Sequence, residues 1–258
     1  KKVSKILEKY NLRIFIPYLR GFGETKFLYK TTLRSGEQAA LGYDLLEFMN
    51  ALKIDKAILA GYDWGGRAAC VVSALYPKRC LGLVSCNGYN IQNIKKDKVE
   101  PDTPENEKKL WYQFYFHSQR GKIGLKKNKN EIIKFLWKTW SPTWKFSDNE
   151  FNLSKRSFCN NDFVDVVIHS YRHRYGLVKG DPWYLNIEKR ISSQPKIIVP
   201  TITIDGLKNG VRKPKKVSDH KQFSSLIKHK LLENIGHNVP QETPKEFSKA
   251  IIEICKHV

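Results

Sequence analysis

One aspartate lies at a tight turn between a predicted strand and a predicted helix, a position that suits a reactive side chain. Asp63 is the centre of Gly61-Tyr62-Asp63-Trp64-Gly65, which follows the apolar run 56–60 and precedes an alanine-rich stretch. Glycines let the backbone fold tightly, and the N–H groups at the start of a helix favour negative charge. The G-x-D-x-G pattern therefore predicts a nucleophile elbow with a carboxylate as nucleophile. In the alternative interpretation, Asp63 only caps the helix.

A histidine far along the chain is the candidate general base. His237 lies in Gly236-His237-Asn238-Val239-Pro240, where the glycine and the proline suit a rigid loop. An imidazole beside a carboxylate ester can take a proton from water and so hydrolyse the ester. The alternative is a loop histidine with no chemical role.

The elements that must position these residues are short apolar runs alternating with helical patterns. Alternation of this kind predicts βα units around a mostly parallel, doubly wound sheet. Ser35 is the predicted N-cap of the helix that follows it, because its hydroxyl can accept from an unpaired N–H group. The predicted strands are 12–17, 55–60, 81–87, 197–204 and 228–232, and the predicted helices of this core are 3–10, 36–52, 65–76 and 243–257.

The segment 89–195 differs from the rest because it contains no convincing strand pattern. It holds five of the six tryptophans and reads as helices with polar joints. An aromatic helical segment after a strand predicts a cap that supplies apolar walls and excludes water from a site. We therefore predict an α/β core formed by residues 1–88 and 196–258, with a helical cap at 89–195.

The net charge of +21, from 46 Lys and Arg residues against 25 Asp and Glu residues, raises the question of nucleic-acid binding. The basic residues are spread along the chain, however, and no nucleic-acid motif accompanies them. We expect a solvated basic surface and no nucleic-acid partner.

The lengths of the apolar runs and the number of cysteines indicate the compartment in which the protein works. The apolar runs are far shorter than the roughly 20 residues of a membrane helix, and no secretory leader pattern is visible. The five cysteines are odd in number and form no CxxC pair, which favours reduced thiols over disulfides or a zinc site. We expect a cytoplasmic protein without a membrane partner.

Taken together, these motifs resemble the α/β-hydrolase fold, and within it the aspartate-nucleophile branch of epoxide hydrolases and haloalkane or haloacetate dehalogenases. The resemblance covers nearly all 258 residues. It implies a hydrolase without cofactor or metal that acts on a small apolar molecule, with a homodimer as one possible assembly. The motifs that carry it are Pro17–Gly23, Gly61–Gly66, Trp111–Phe116, Ser170–Arg172 and Gly236–Pro240.

The resemblance implies a two-step reaction. Asp63 would attack an electrophilic carbon to form an alkyl ester, and His237 would activate the water that hydrolyses the ester. Trp64 matches the position whose indole N–H holds the leaving halide in dehalogenases, and its backbone N–H would donate to an oxyanion. The alternative for Trp64 is a packing role beside the elbow.

Tyr112 and Tyr171 match the cap tyrosines that hold and protonate the epoxide oxygen in epoxide hydrolases, with Gln113 as a further binding residue. Arg67 matches an arginine that grips the substrate carboxylate in haloacetate dehalogenases, whose second arginine corresponds to Trp64 here. The alternatives are that the tyrosines only pack and that Arg67 is the structural partner of a carboxylate.

Two departures from the family pattern concern the catalytic acid. Asn209 stands in the catalytic-acid position, and Asn87 stands at the other position where the acid can lie. An amide cannot stabilise imidazolium by charge, and such a replacement costs on the order of 10⁴ in rate in a serine-protease triad. Asp205 is near in sequence, but its side chain would have to be redirected for it to serve as the catalytic acid.

The chain also begins after the first three strands and the H-G-x-P loop of the family. We therefore expect residues 1–258 alone to be poorly stable and inactive. Epoxide hydrolysis is the first functional hypothesis and dehalogenation is the second. A catalytically inactive binding protein is the third.

Overall fold

A four-stranded sheet lies at the centre of the residues that the computed structural model describes, which are 1–214, 216–217 and 220–258. The strands follow one another in space as they do in sequence, and every neighbouring pair is parallel. The strands are β1 (Ala57–Gly61), β2 (Cys80–Cys86), β3 (Thr201–Gly206) and β4 (Leu226–Leu232).

The other regular elements are mainly helices. None of the described helices combines the length and the apolar character needed to cross a membrane. They are α1 (Lys2–Leu7), α2 (Gln38–Ala51), α3 (Asp63–Leu75), α4 (Ile94–Asp97), α5 (Pro104–Lys109), α6 (Trp111–His117), α7 (Gln119–Lys127), α8 (Lys129–Trp140), α9 (Asp148–Lys155), α10 (Phe163–Arg174), α11 (Leu185–Ile191), α12 (Val239–Glu242) and α13 (Pro244–Cys255).

Both faces of the sheet are covered, as the sequence predicts for a doubly wound α/β fold. Successive side chains of a strand point to opposite faces. Leu83 of β2 packs with Met49 of α2 and Val71 of α3, whereas the next residue, Val84, packs with Ile254 of α13. The predicted fold class is therefore confirmed.

A third apolar cluster joins the start of α3 to the helices between β2 and β3. Trp64 at the elbow packs in it with Tyr112 of α6, Trp137 of α8 and Tyr171 of α10. The aromatic helices therefore lie over the turn that carries Asp63. The last helix of the predicted cap segment, α11, packs instead in the cluster that α2 and α3 form against the sheet.

The predicted strand at 12–17 is wrong. This segment forms no strand and no sheet pair within the described chain, and Ile16 is 66% exposed. Phe15 packs edge-on against Phe48 of α2, with 6.1 Å between the ring centroids. An apolar run becomes a strand only where a neighbouring strand pairs with its backbone, and this segment lies against a helix instead.

The predicted N-cap at Ser35 is also wrong, because α2 begins at Gln38 with Glu37 as its N-cap residue. The Ser35 hydroxyl donates to Glu37 Oε1 at 2.6 Å and accepts at 3.4 Å from the N–H of Glu37, which precedes the first residue of the helix. The N–H of Ala39 donates to Glu188 Oε1 of α11 at 3.0 Å. A carboxylate from a distant helix thus satisfies one of the N–H groups that a local cap would satisfy.

Candidate active site

The elbow places Asp63 in a strained backbone conformation at the first residue of α3. Its φ of 47° lies in the left-handed region, which is costly for a residue with a Cβ and recurs at functional sites. A Cβ at Gly61 would lie 2.5 Å from the backbone of Gly65, so the turn requires glycine there, whereas a Cβ at Gly65 would meet open space. The N-cap residue of α3 is Tyr62, and Asp63 is the first residue of the helix, so Asp63 is not the N-cap that the alternative interpretation predicts.

The carboxylate of Asp63 faces the imidazole of His237, with 3.7 Å between Oδ2 and Nε2. The Asp63 side chain keeps 35% of its surface open, so a small molecule can reach it. Burial raises the pKa of the Asp63 carboxyl, but His237, Arg174 and Arg67 together outweigh burial and hold the pKa below its usual value. Asp63 is therefore ionised at neutral pH, as a carboxylate nucleophile must be.

The end of α8 holds the loop that carries His237. The backbone N–H of His237 donates to Trp140 O at 3.1 Å and to Ser141 Oγ at 3.0 Å. The imidazole lies between two aromatic rings, with ring centroids 5.5 Å from Trp140 and 6.3 Å from Tyr62. Residues far apart in sequence thus fix both the position and the plane of the imidazole.

The two asparagines at the predicted acid positions touch each other, and one of them, Asn87, reaches His237. Asn209 Nδ2 donates to Asn87 Oδ1 at 2.8 Å, and Asn87 Nδ2 lies 3.4 Å from His237 Nδ1. Asp205 does not replace them, because its carboxylate faces His229, with 3.9 Å between Oδ2 and Nε2. The side of His237 away from Asp63 therefore contacts amides.

The two cap tyrosines lie together in the cluster above the elbow, and both are buried. Their ring centroids are 5.5 Å apart, and Gln113 Nε2 donates to the Tyr112 hydroxyl at 3.2 Å. Burial raises the pKa of Tyr171 to about 12 and raises that of Tyr112 well above its usual value, and the negative charge of Asp63 adds to both shifts. Both phenols therefore keep their protons at neutral pH and can donate them.

Arg67 lies deep in the site without a carboxylate partner among the described ion pairs, so it is not the simple structural partner that the alternative interpretation predicts. Its Nη1 donates to amide oxygens, at 3.2 Å to Gln38 and 3.4 Å to Gln92, and no acceptor lies within hydrogen-bonding distance of its Nε. Burial and the charges of Arg174 and Arg212 lower the pKa of Arg67 to about 9.

Two site residues were not predicted from the sequence. Arg174 lies 4.7 Å above the Tyr171 ring and 5.5 Å above the Trp64 ring, and its buried Nη2 has no acceptor. Trp140 packs 5.2 Å from Tyr112, and its buried indole N–H also has no acceptor. The spacing from Tyr171 to Arg174, one helical turn, was a signal that could have indicated Arg174. Trp140 could not be selected, because it is one of five tryptophans in the same segment.

Two other groups of side chains have the types and spacing of metal ligands. In each group of described residues the candidate ligand atoms lie within 4.8 Å of one another, and neither group contains the predicted nucleophile or base. The groups are Asp205, His220 and His229, and Glu37, His173 and Glu188.

The fold and the site together define a class of protein. A parallel sheet covered on both faces, with a strand–turn–helix elbow beneath aromatic helices, is an α/β hydrolase with a helical cap. The chain belongs to the alpha/beta hydrolase fold family, whose sequence pattern matches residues 4–240. Within that family it is epoxide hydrolase-like, as its relatives indicate.

A structure from Klebsiella pneumoniae, provisionally described as an epoxide hydrolase, is 40% identical, with a TM-score of 0.95 over 98% of this chain and 84% of that one. A variant of a Bacillus megaterium epoxide hydrolase, solved with its diol product, shares the fold at 15% identity, with a TM-score of 0.68 over 92% of this chain and 82% of that one. Bifunctional epoxide hydrolase 2 of Sus scrofa is 20% identical over 96% of this chain and 47% of its own length. The chain thus spans about half the length of these curated relatives.

Proposed function

We propose that this protein is a hydrolase that opens an epoxide by attack of Asp63 on a ring carbon. The observation that carries the proposal is the placement of two buried phenols in the cluster that covers the elbow of Asp63, where they pack against each other and against Trp64. In the first step a carboxylate oxygen forms a bond to carbon while the ring C–O bond breaks. The released oxygen takes a proton from Tyr171 or Tyr112, which leaves a phenolate and an alkyl ester on Asp63.

The second step hydrolyses the ester with water, and His237 is the base that lies nearest to Asp63. The oxygen of water bonds to the ester carbonyl carbon while His237 takes a proton. The bond between the carbonyl carbon and the alkyl oxygen then breaks, and this oxygen takes the proton held by His237 as the diol leaves. The carboxylate of Asp63 is restored, and the remaining proton returns to the phenolate, so that one epoxide and one water give one diol.

Replacing Asp63 with asparagine tests the nucleophile. With styrene oxide as the probe, we expect the protein to gain the mass of one epoxide and to release the diol. Asp63→Asn should abolish both, because an amide oxygen is a far weaker nucleophile than a carboxylate. Intact-mass spectrometry detects the ester, and chromatography detects the diol.

The matched control is Asp165→Asn, which removes an exposed carboxylate from α10. An ester that still forms in the Asp63→Asn variant would overturn the nucleophile assignment. No ester with any reactive epoxide or haloalkane would favour the inactive binding protein.

A second candidate, dehalogenation of a small haloacid, is favoured by the two buried guanidinium groups of Arg67 and Arg174. Each has a buried nitrogen without an acceptor, and each lies close enough to Asp63 to stabilise its negative charge. Unpaired buried cations are costly, and a substrate carboxylate would supply the missing acceptors. Asp63 would then displace halide from the adjacent carbon.

Arg174→Met separates the two candidates, because methionine keeps an apolar side chain of similar length without the charge. If the substrate carries a carboxylate, halide release from chloroacetate should fall about 10- to 100-fold, the value of a hydrogen bond to a charged group. Styrene oxide opening should fall less, because it loses only the charge that Arg174 places over the Tyr171 ring. Arg156→Met, at an exposed position, is the control. Equal losses with both probes would count against a carboxylate-bearing substrate.

A further inference from the structure

A row of hydrogen bonds runs from a backbone turn to the imidazole of His237. It starts at Val211 and Arg212, whose N–H groups donate to Asn209 Oδ1 at 2.9 and 3.3 Å. Because these donors fix the oxygen of Asn209, its NH₂ group points the other way and donates to Asn87 Oδ1 at 2.8 Å. The orientation of the first amide therefore sets that of the second.

Asn87 passes this orientation on to the imidazole. Its oxygen is occupied by Asn209, so its own NH₂ group faces His237 Nδ1 at 3.4 Å. Turning the Asn87 amide alone would bring two NH₂ groups within 2.8 Å, and turning both amides would point the Asn209 NH₂ group at two backbone N–H groups. Nδ1 faces a donor and must accept, so the proton of the neutral ring lies on Nε2.

The protonated nitrogen is the one that faces the nucleophile, with 3.7 Å between His237 Nε2 and Asp63 Oδ2. A base that takes a proton from water must present a lone pair there. We propose that the row of amides holds His237 in the tautomer that cannot deprotonate the hydrolytic water, so that the Asp63 ester accumulates as a long-lived intermediate. The inference rests on the nucleophilic role proposed above for Asp63.

The two chemical steps differ in what they need from His237. Ester formation breaks a ring C–O bond and takes its proton from a phenol, so it requires no lone pair on the imidazole. Ester hydrolysis requires one, because a proton of water must pass to Nε2 as the oxygen bonds to the carbonyl carbon. The ring proton would first have to move to Nδ1, where it would meet the NH₂ group of Asn87. Asn87 and Asn209 are thus positioning residues that slow the second step alone.

Replacing Asn209 with aspartate should reverse the row. One carboxylate oxygen can still accept from Val211 and Arg212, but the other can no longer donate to Asn87. The Asn87 amide then turns its NH₂ group to the new carboxylate and its oxygen to His237. Nδ1 becomes the donor, and Nε2 presents its lone pair to the ester and the water.

The tautomer can be measured without any substrate. In protein labelled with ¹⁵N-histidine, two-bond ¹⁵N–¹H correlation distinguishes a protonated ring nitrogen from a bare one, and a His237→Gln spectrum assigns the signals. We expect the natural protein to show bare Nδ1 and protonated Nε2, and Asn209→Asp to show the opposite. A proton on Nδ1 in the natural protein would overturn the inference.

The kinetic consequence is measured by loading the protein with styrene oxide, removing the excess and following decay of the ester by intact mass. We expect the ester to decay at least about 100-fold faster in Asn209→Asp than in the natural protein, within the range that the wrong tautomer costs in a serine-protease triad. In Asn209→Ala, which removes the amide without adding a carboxylate, the ester should decay much more slowly than in Asn209→Asp. Asn152→Asp, at an exposed position of α9, controls for the added charge.

The possible results separate this inference from the proposed function. Equal decay in the natural protein and in Asn209→Asp would overturn the inference while leaving the nucleophile intact. No ester in any variant would overturn the nucleophilic role of Asp63, and the proposed long-lived ester with it. In that case the ¹⁵N spectra would still decide whether the amide row sets the tautomer.

Discussion

The two phenols above Asp63 are not equivalent proton donors. The Arg174 guanidinium lies 4.7 Å above the Tyr171 ring, where its charge stabilises a phenolate. Burial raises the pKa of Tyr112 well above its usual value and that of Tyr171 to about 12, and the charge of Arg174 opposes the shift at Tyr171 more strongly than any other group. Tyr171 is therefore the stronger acid of the pair, and Tyr112 is better suited to holding the epoxide oxygen.

Tyr171→Phe should slow opening of styrene oxide by about 10²- to 10⁴-fold, the usual contribution of a general acid. Release of halide from a haloalkane needs no such proton and should change little. The formation rates of ester and of free halide measure the two effects. Tyr29→Phe, at a 70% exposed position, is the control. Equal losses in both reactions would remove Tyr171 from the role of acid.

At the residue scale, the sequence predicts a residue's role only where that role depends on residues close to it in the chain. Asp63 and the glycine of its turn form a local pattern, and local patterns predict local geometry. The amide row is not local, because Asn87 and Asn209 meet only when β2 and β3 pair. Substitution at the acid positions was visible in the sequence, but the orientation of the amides was not.

Among the elements, the end of α8 and the loop before α12 behave as one unit. The hydroxyl of Ser141, which is fully buried, accepts from the backbone N–H groups of His237 and Asn238 and donates to Glu242 Oε1 at 2.6 Å. It also accepts from Asn238 Nδ2 at 2.9 Å. One side chain thus connects the helix over the site to the loop that carries the base.

Ser141→Ala should destabilise the protein by about 1–3 kcal/mol, because the buried donors and the Glu242 carboxylate would lose a shared partner. It should also slow ester hydrolysis, since the loop that carries His237 loses an anchor. Urea unfolding measures the first effect, and decay of the loaded ester measures the second. Ser193→Ala removes an exposed hydroxyl and should change the free energy of unfolding by no more than about 0.5 kcal/mol. A Ser141→Ala protein as stable as the control would contradict the assigned role of the hydroxyl.

The central strands β2 and β3 were predicted because they are buried along most of their length and rich in apolar residues, although β3 begins at Thr201 rather than at 197. The same criterion failed at residues 12–17, because an apolar run indicates burial or contact but not the element that provides it. In the described chain that contact is Phe48 of α2. Pairing between distant backbones decides whether a run becomes a strand, and a single sequence does not contain that information.

At the scale of the whole molecule, one buried carboxyl makes stability depend on pH. Burial raises the pKa of Glu188 from 4.5 to about 7, and the nearby Glu37 adds to the shift. The folded protein therefore keeps a proton that the unfolded chain releases between these pH values. The free energy of unfolding should fall as pH rises through this window, by up to about 3 kcal/mol from this group.

Glu188→Gln should match the natural protein in stability near pH 5 and exceed it near pH 8, because the neutral amide avoids the buried charge. Urea unfolding at both pH values measures the difference. His173, whose pKa burial lowers to about 4, changes stability in the opposite sense in both proteins, so the comparison between them isolates Glu188. Glu24→Gln, at an exposed carboxyl, is the control. The same pH dependence in natural and Glu188→Gln proteins would contradict the raised pKa.

The contact between Trp140 and the His237 loop limits which segments can be exchanged between such proteins. Trp140 O accepts from the N–H groups of both His237 and Gly210, so the segment over the site holds two loops that the sheet supplies. Exchanging residues 89–195 for the same segment of a relative would change more than the walls of the substrate cavity, because it would also replace the anchor of the base. Chimeras should therefore keep Trp140 and Ser141 with their own His237 loop, and the useful point of exchange lies before α8 rather than after it.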